Sequence, residues 1–448
     1  MANGNNGNNR IMEDKDIAHY LIDHSYEIVN SLLQNIPGDK YAFGETSVKL
    51  LRDISALSVL ANATIQFEVE GKKDRVETII KYYDFRDNNL PKGYLRAGDK
   101  PEDKPWKLTY DTYDFLKGIN HVPKVFHYDA KKRIIFMEYV GSTSLEEKLE
   151  GCKTEQEKID IFKKQIIPPL VEFQTDATEK LTEVGIIETG KTEKEININP
   201  SISRLFKERM MEERVIDYLR AIKGFGNTDD LSEGLRNMLV KTYNTIDSAY
   251  EREWCVCHGD LNTTNVIFNE RGEIYFIDPK LKLRNPITDL ANISACPGID
   301  FEPDKWKELV EEFRLREIER MGAELKIKQR FRGKPKVYIQ EEVIKNSYEN
   351  FLKCMIHYSF RRLAKDADAS RFLPIKYNQW INERKSFKDS NTQMKKNITT
   401  ALDELISNRQ HYTDEEADNL RTLKSLFERE IFPDLEKKTP SKIDMLDK

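Results

Sequence analysis

Two short apolar runs separated by a polar turn occupy residues 266–277, and acidic and amide residues flank them at fixed positions. Asp260 and Asn265 precede the first run, and Asp278 follows the second. The turn, Asn-Glu-Arg-Gly, has the composition of a tight hairpin connection, which predicts two antiparallel strands. A hairpin alone gives no reason for His-Gly before Asp260, or for a lone carboxylate after the second strand. Several such elements at fixed spacing indicate a chemical site.

The same spacing suits phosphoryl transfer. Asp260 is expected on a tight loop that faces an acceptor hydroxyl. Asn265, at the start of the following strand, would offer its amide oxygen to a metal ion, and Asp278 would offer a carboxylate to the same ion. Mg²⁺ prefers hard oxygen ligands of this kind and keeps waters and substrate phosphates in the rest of its shell.

The segment from His258 to Asp278 resembles the catalytic loop of the aminoglycoside phosphotransferase and choline kinase group within the protein-kinase-like superfamily. That loop reads His-Gly-Asp, four residues, Asn, and then Ile-Asp after the next strand. The resemblance implies that Asp260 orients and deprotonates the acceptor hydroxyl, and that Asn265 and Asp278 hold Mg²⁺ on the phosphates of ATP. It also implies that His258 is structural. Pro279 departs from the aromatic residue that commonly follows the metal-binding Asp.

Upstream, residues 54–83 alternate in short β-type runs, which predicts a three-stranded antiparallel meander. Its strands are expected at 54–60, 64–69 and 76–83. The loop around Asn62, between the first two strands, has small residues that would let the backbone approach a phosphate. Lys81 ends the third run, where the resemblance implies the lysine that pairs with the phosphates of ATP. A solvated lysine at a strand end is the ordinary alternative.

Residues 108–119 have the apolar spacing of a helix, with Tyr113 on its apolar face. The resemblance implies a carboxylate on this helix that pairs with the strand lysine. Asp111 is the expected partner of Lys81, and Asp114 is the alternative. Both depart from the Glu that protein kinases use.

A further apolar strand begins at residue 133 and ends in the sequence Met-Glu-Tyr-Val, which Gly141 follows. This segment resembles the interlobe hinge of kinases, which implies that Met137 is the gatekeeper and that backbone groups of Glu138 and Val140 bind adenine. An edge strand followed by a Gly-Ser turn is the alternative. A strand lysine, a hinge and a catalytic loop occur along the chain in the order that the kinase-like fold requires.

Composition narrows the class of protein. The 448 residues include 72 Lys and Arg against 77 Asp and Glu, a net charge of −5, which argues against a globally basic nucleic-acid binder. No apolar run approaches the roughly 18 residues of a membrane span, and residues 1–10 lack a hydrophobic signal. Five cysteines in so long a chain predict reduced thiols and a cytoplasmic location. Cys255 and Cys257 are expected to face opposite sides of their strand.

The remainder of the chain is helical and polar by its periodicity. Helices or amphipathic stripes are predicted at 11–33, 154–173, 201–222, 306–319, 348–363, 398–406 and 420–431. The Asp-Leu-Ala that begins at Asp289 is similar to a helix start whose role is mainly structural in the resembling family. The basic run at 326–336 is either a solvated loop or a docking site for a phosphate-rich acceptor such as RNA.

These patterns predict an α+β, bilobal protein-kinase-like fold, with a small antiparallel β-sheet N-lobe and a mainly helical C-lobe extended by extra helices. The expected segments are a disordered start and helical extension at 1–50, the N-lobe and hinge at 51–140, the C-lobe at 141–300 and a helical subdomain at 301–448. The expected activity is ATP- and Mg²⁺-dependent phosphorylation of a hydroxyl of a sugar, amino sugar or alcohol. A kinase for RNA or protein is the alternative, and a non-catalytic nucleotide-binding protein is another.

Overall fold

The structure is a computed structural model that describes residues 23, 41–50, 59–69, 72–82, 105–183, 205, 218–219, 255–320, 336–372, 387–408 and 412–438. The chain divides into two compact units. The first consists of residues 1–142 and 267–280, and the second of residues 143–266 and 281–448. The expected α+β class is confirmed, because the first unit contains an antiparallel sheet and the second is mainly helical.

In chain order the strands are β1 (Tyr41–Leu50), β2 (Val59–Val69), β3 (Lys72–Tyr82), β4 (Val125–Asp129), β5 (Ile134–Glu138), β6 (Thr143–Ser144), β7 (Cys255–Cys257), β8 (Val266–Phe268), β9 (Ile274–Phe276) and β10 (Lys282–Arg284). The helices are α1 (Pro105–Phe115), α2 (Leu145–Glu150), α3 (Glu155–Ile161), α4 (Ile167–Glu183), α5 (Ile287–Ser294), α6 (Pro303–Arg320), α7 (Lys336–Phe372), α8 (Phe387–Ser407), α9 (Asp414–Leu426) and α10 (Phe432–Lys438). Short π-helical segments, Phe162–Ile166 and Phe427–Ile431, join α3 to α4 and α9 to α10.

The first unit is built on a five-stranded sheet in the order β1-β2-β3-β5-β4, and every neighbouring pair is antiparallel. Along β2, Ala61, Ala63, Ile65 and Phe67 are buried and alternate with more exposed residues. This period of two is what a strand with one face in the core requires. The predicted second and third strands are therefore confirmed.

Of the predicted first strand, at 54–60, residues 54–58 lie outside the described residues, whereas the loop predicted after it is wrong. The strand that precedes β2 is β1, and residues 59–60 already belong to β2. The stretch assigned to a loop around Asn62 lies inside β2, where Asn62 is paired with Lys49 on one side and Ile79 on the other. Ala61 and Ala63 are small because they pack in the core and not because the chain turns there.

Helix α1 and the hairpin β8–β9 complete the first unit. Tyr110 of α1 stacks on Tyr128 of β4, with ring centroids 4.1 Å apart. The side-chain oxygen of Asn269 accepts hydrogen bonds from the backbone N–H groups of Arg271 and Glu273, which closes the hairpin turn. The predicted helix at 108–119 and the predicted hairpin are both confirmed, and the helix begins a few residues earlier than expected.

Gly141, at the end of the predicted hinge, is expected to tolerate no side chain. Its φ is +125°, and an added Cβ would lie 2.4 Å from the carbonyl oxygen of Phe268. We expect Gly141→Ala to lower the free energy of unfolding by about 2–4 kcal/mol, because backbone strain and a clash with backbone add together. Gly118→Ala is the control, since Gly118 has φ +87° but open space around it. Chemical denaturation that gives equal losses for the two variants would contradict the packing argument.

Three helices of the second unit begin with the same local sequence, Ser or Thr followed three residues later by Glu. The capping side chains are Ser144 for α2, Thr154 for α3 and Thr413 for α9. In each, the hydroxyl accepts the backbone N–H of the Glu, and the Glu carboxylate accepts the N–H of the capping residue. This capping box satisfies donors that the first helical turn leaves unpaired.

The helices of the second unit pack around a large aromatic core. Its fully buried side chains include Phe162, Phe173, Phe301, Trp306, Phe313, Phe351, Tyr358 and Phe360. Ion pairs link the helices at their edges: Arg320 of α6 to Asp176 of α4 at 2.6 Å, and Lys424 of α9 to Asp403 of α8 at 2.5 Å. The predicted helices at 154–173 and 306–319 and the three amphipathic stripes of the tail are confirmed.

Some predictions fall outside the described residues. They are the helix at 11–33, most of the helix at 201–222, the start at 1–10 and the side chains of the basic run at 326–336. In the part of the chain that is described, no helix combines the length and apolar composition of a membrane span.

Candidate active site

A buried lysine and an aspartate form an ion pair in the first unit. Lys81 lies near the end of β3, where its backbone pairs with Leu60 and Ile135. Its Nζ is 2.6 Å from Oδ1 of Asp278, and the Lys81 side chain is 10% exposed against 41% for Asp278. The two residues expected to act on the phosphates and the metal therefore lie together, although 197 residues separate them in sequence.

The backbone of Asp278 has an unusual conformation. Its φ is +55°, in the left-handed region that non-glycine residues rarely adopt. The N–H of Asp278 donates to the hydroxyl oxygen of the buried Tyr113 at 3.0 Å, which fixes the residue after the hairpin. Such a conformation costs about 1–3 kcal/mol, and it occurs preferentially where a side chain must be aimed for function.

Asp111 makes a different contact from the one expected. It forms a salt bridge at 3.1 Å with Lys107, one turn earlier in α1. The carboxylate that the structure places on Lys81 is that of Asp278. The pairing of Asp111 with Lys81 stays a prediction.

Three residues predicted to bind the nucleotide share one face of the sheet. Asn62 lies opposite Ile79, and Ile79 lies opposite Met137. Residues directly opposite in an antiparallel sheet have side chains on the same side, and Lys81, two residues after Ile79, shares that side. The side-chain oxygen of Asn62 is buried and has no hydrogen-bond partner among the described residues. This orphaned acceptor, beside a lysine, suits a polar ligand that brings its own donors.

The predicted hinge is held by the sheet up to residue 139. The N–H of Glu138 donates to the carbonyl of Lys124 at 2.8 Å, and the N–H of Tyr139 donates to the carbonyl of Glu77 at 3.3 Å. Val140, which follows, makes no hydrogen bond to any residue that the structure describes. Adenine binding by backbone groups of Glu138 and Val140 stays a prediction.

In the second unit, one buried carboxylate organises the loop that carries Asp260. Asp289, at the start of α5, accepts hydrogen bonds from the backbone N–H of His258 at 2.6 Å and of Gly259 at 3.0 Å. It also accepts the side-chain amide of Gln174 at 3.0 Å. Gly259 has φ +77°, which allows the sharp turn before Asp260. The hydrogen bonds that Asp289 accepts are the physical basis of the structural role expected of the Asp-Leu-Ala segment.

We expect Asp289→Asn to loosen this loop. An amide nitrogen in place of one carboxylate oxygen would face an N–H donor, and an unsatisfied buried donor costs about 1–3 kcal/mol. Because the substitution acts through loop geometry, turnover is expected to fall at least about 10-fold. Faster hydrogen exchange at residues 257–260 would accompany the loss. Asp300→Asn, at a side chain that is 55% exposed, is the control. Unchanged exchange in Asp289→Asn would contradict this role.

Asp260 is recessed and surrounded by the catalytic-loop residues. Its side chain is 13% exposed, and its N–H donates to Nδ1 of the buried His258 at 3.3 Å. Because this ring nitrogen accepts, it is unprotonated, which fits the structural role expected of His258. The side-chain nitrogen of Asn265 donates to the Asp260 carbonyl at 2.9 Å. That bond uses the amide nitrogen of Asn265 as a donor. Binding of a metal ion by the amide oxygen stays a prediction.

A charged residue that the sequence analysis missed contacts Asp260. Nη2 of Arg361, on α7, lies 3.3 Å from Oδ1 of Asp260. Nearby, Nη1 of Arg284 donates to the hydroxyl of Tyr358 at 2.8 Å. The sequence pattern gave no specific signal for Arg361, because every residue from 351 to 360 is buried and spacing along α7 does not single out one face.

The prediction for the two cysteines of β7 is wrong. Cys255 and Cys257 do not face opposite sides of the strand, since their sulfur atoms are 3.6 Å apart. Residues two apart on a strand share a face. Burial raises the pKa of both thiols, and at neutral pH they are therefore protonated packing groups.

The antiparallel sheet with its lysine, the hinge strand, the catalytic loop and the helices that follow have the order of a protein-kinase-like fold. Among solved structures, the chain is similar to an ethanolamine kinase of Plasmodium vivax, with a TM-score of 0.45, 12% identity and coverage of 88% of this chain and 91% of that chain. It is also similar to a choline kinase of Cryptosporidium parvum, with a TM-score of 0.46, 10% identity and coverage of 86% and 97%.

A provisionally assigned aminoglycoside phosphotransferase of Ralstonia eutropha is similar as well, with a TM-score of 0.40, 12% identity and coverage of 92% of this chain and 98% of that chain. The amino-acid sequence matches no family profile and no curated protein sequence. The function is therefore argued from the residues of the site.

Proposed function

We propose that this protein transfers the γ-phosphate of ATP to a hydroxyl group of a small molecule, with Asp260 as the catalytic base. The observation that carries the proposal is the ion pair between the buried Lys81 and Asp278, at 2.6 Å. Asp278 is held in a left-handed conformation by Tyr113. A purely structural ion pair needs neither that backbone strain nor a half-exposed carboxylate.

The nucleotide is proposed to bind the first unit. Lys81 provides a fixed positive charge for phosphate oxygens, and Asn62 provides an acceptor on the same face of the sheet. The backbone groups of Glu138 and Val140 are proposed to bind adenine beside Met137. Asp111 remains the proposed additional carboxylate near the lysine.

The metal-binding residues are proposed to be Asn265 and Asp278. An amide oxygen and a carboxylate are ligands that Mg²⁺ accepts, with phosphate oxygens and waters in the remaining positions. When bound, Mg²⁺ neutralises charge on the phosphates during transfer. The 41% exposure of the Asp278 side chain leaves its second oxygen accessible to an ion.

Asp260 is proposed to act on the acceptor. It aligns the hydroxyl and takes its proton as the new O–P bond forms, while the bond between the γ-phosphorus and the bridging oxygen breaks. ADP leaves with that electron pair. Positioning and charge stabilisation supply most of the rate enhancement in such transfers.

A small acceptor is favoured because the base is recessed. With 13% of its side chain exposed and Arg361 against it, Asp260 is more accessible to a compact hydroxyl compound than to a macromolecular surface. The alternative of RNA or protein as acceptor depended on the basic run at 326–336, whose side chains lie outside the described residues. A cytoplasmic location stays a prediction.

The test is transfer of labelled γ-phosphate from ATP to sugars, amino sugars, simple alcohols and total RNA, with and without Mg²⁺. Asp260→Asn protein is the background control, and ATP binding is measured separately. Mg²⁺-dependent labelling of a small compound by the unsubstituted protein alone is the expected result. ATP binding without transfer to any acceptor would favour a non-catalytic protein, and labelling of RNA alone would overturn the small-molecule assignment.

A further inference from the structure

Arg361 places a positive charge directly beside the proposed catalytic base. Its Nη2 lies 3.3 Å from Oδ1 of Asp260, and its side chain is 22% exposed. Among the described residues, Asp260 is the only hydrogen-bond partner of Arg361. Within the described part of the chain, one contact through a single nitrogen engages only one or two of the five N–H donors of the guanidinium.

The position of Arg361 is set by the core of the second unit. Arg361 follows the buried Tyr358 by three residues on α7. The hydroxyl of Tyr358 accepts a hydrogen bond from Arg284 at the end of β10. Burial and the charge of Arg284 act to lower the pKa of Arg361, but electrostatic interaction with Asp260 and two tyrosines outweighs them, so that the pKa is raised. The guanidinium is therefore a permanent cation at a fixed place.

The contact with Asp260 engages only one nitrogen of the Arg361 guanidinium among the described residues. Arginine that clamps a carboxylate usually does so with two parallel bonds of about 2.7–2.9 Å. The single 3.3 Å contact here is long for a charge-assisted bond. Any hydroxyl that bonds to Asp260 must come within a few ångströms of the same guanidinium, so Arg361 acts on the acceptor as well as on the base.

We infer that the acceptor carries a negatively charged group, a carboxylate or a phosphate, close to the hydroxyl that is phosphorylated, and that Arg361 binds this group. The inference rests on the proposed function and specifies its substrate class. An ammonium group at the same place would be repelled by Arg361. At separations of about 4–6 Å near a protein surface, such an interaction changes binding about 100-fold or more in either direction before solvent screening reduces it.

The experiment compares acceptors that differ only in charge. One set is glucuronate, glucose and glucosamine, and a second is glycerate, glycerol and 2-amino-1,3-propanediol. Binding of each compound to the full chain is measured by calorimetry in the presence of Mg²⁺ and a non-hydrolysable ATP analogue, and phosphorylation is followed with ATP. In at least one set, the anion is expected to bind and react at least about 10-fold better than its neutral and cationic counterparts.

Substitutions then test whether the preference for the anionic acceptor depends on Arg361. Arg361→Gln should raise KM for the anion at least about 10-fold and change KM for the neutral compound little, and Arg361→Lys should retain part of the preference. Arg362→Gln is the matched control, because it removes the same charge from the next residue of α7. Arg362 donates to Asn292, at 2.9 Å to the carbonyl and 3.0 Å to the side chain. Arg362→Gln should leave the preference for the anion unchanged.

The outcomes distinguish failure of the acceptor inference from failure of the proposed function. Equal or weaker binding of the anions in both sets, or a fall in kcat that is the same for all acceptors in Arg361→Gln, would overturn the acceptor inference. The second result would make Arg361 a positioning residue for Asp260. Mg²⁺-dependent phosphorylation of glucosamine in preference to glucuronate would reject the charge inference and leave the proposed function intact. Absence of any ATP binding would reject the proposed function itself.

Discussion

Replacing Asp260 by Asn is expected to reduce phosphotransfer by about 1000-fold or more while ATP binding stays within about 3-fold of the unsubstituted protein. An amide cannot accept the hydroxyl proton, and a positioned general base contributes about 100- to 10,000-fold. Loss of the negative charge beside the acceptor oxygen adds to the effect. The residues proposed to contact the nucleotide directly lie in the first unit, so we expect their contacts to be unaffected. Single-turnover transfer and calorimetric ATP binding measure the two effects separately.

The matched control removes a similar carboxylate from the second unit, which also contains Asp260. Asp176 pairs with Arg320 at 2.6 Å, and its side chain is 25% exposed. Asp176→Asn should leave transfer within about 2-fold of the starting value, because exposed ion pairs contribute little. Circular dichroism of both variants checks that the fold is kept. Unreduced turnover in folded Asp260→Asn protein would exclude Asp260 as the base.

Replacing Asp278 by Asn is expected to weaken binding of Mg²⁺·ATP by about 100-fold and to abolish most of the dependence of ATP binding on Mg²⁺. The substitution removes the charge of the proposed metal ligand, which is also the counter-ion of Lys81, whose Nζ lies 2.6 Å away. It leaves the backbone in place, because Asn tolerates the left-handed conformation, here φ +55°, better than most residues. Metal-free ATP should bind with a much smaller change, since Lys81 remains.

Titration of ATP at several Mg²⁺ concentrations measures this difference. Asp74→Asn, at an exposed position of the same strand as Lys81, is the control and should bind Mg²⁺·ATP normally. A parallel Asp278→Ala variant should be less stable than Asp278→Asn, because Ala does not favour the left-handed region. Normal Mg²⁺ dependence in Asp278→Asn would exclude this carboxylate as a metal ligand.

Much of the local structure could be predicted from the sequence. The hairpin that ends before Asp278, the strand that carries Lys81, the helix that carries Tyr113 and the capped helices all depend on residues close together in the chain. Periodicity, turn composition and capping residues report such local interactions directly. The catalytic-loop motif belongs only partly to the same category. Some of its hydrogen bonds join residues 258–265 to one another, but the bond from His258 to Asp289 spans 31 residues.

Two errors show where local patterns mislead. The small residues around Asn62 have the composition of a loop, but they lie in β2 because neighbouring strands cover both its edges. Cys255 and Cys257 were assigned to opposite faces, although the period of a strand puts them on one. The first error needed knowledge of strand pairing, whereas the second needed only the geometry of a single strand.

By itself, the sequence determined the elements, the order in which they occur and the residue types that phosphoryl transfer requires. The tertiary structure alone decided which charges meet: Lys81 with Asp278 across 197 residues, and Arg361 with Asp260 across 101. Contacts of that range depend on how helices and strands pack, which no local pattern encodes. The catalytic-loop motif therefore indicated the chemistry from sequence, but the charge that faces the acceptor became visible only when α7 was packed beside Asp260.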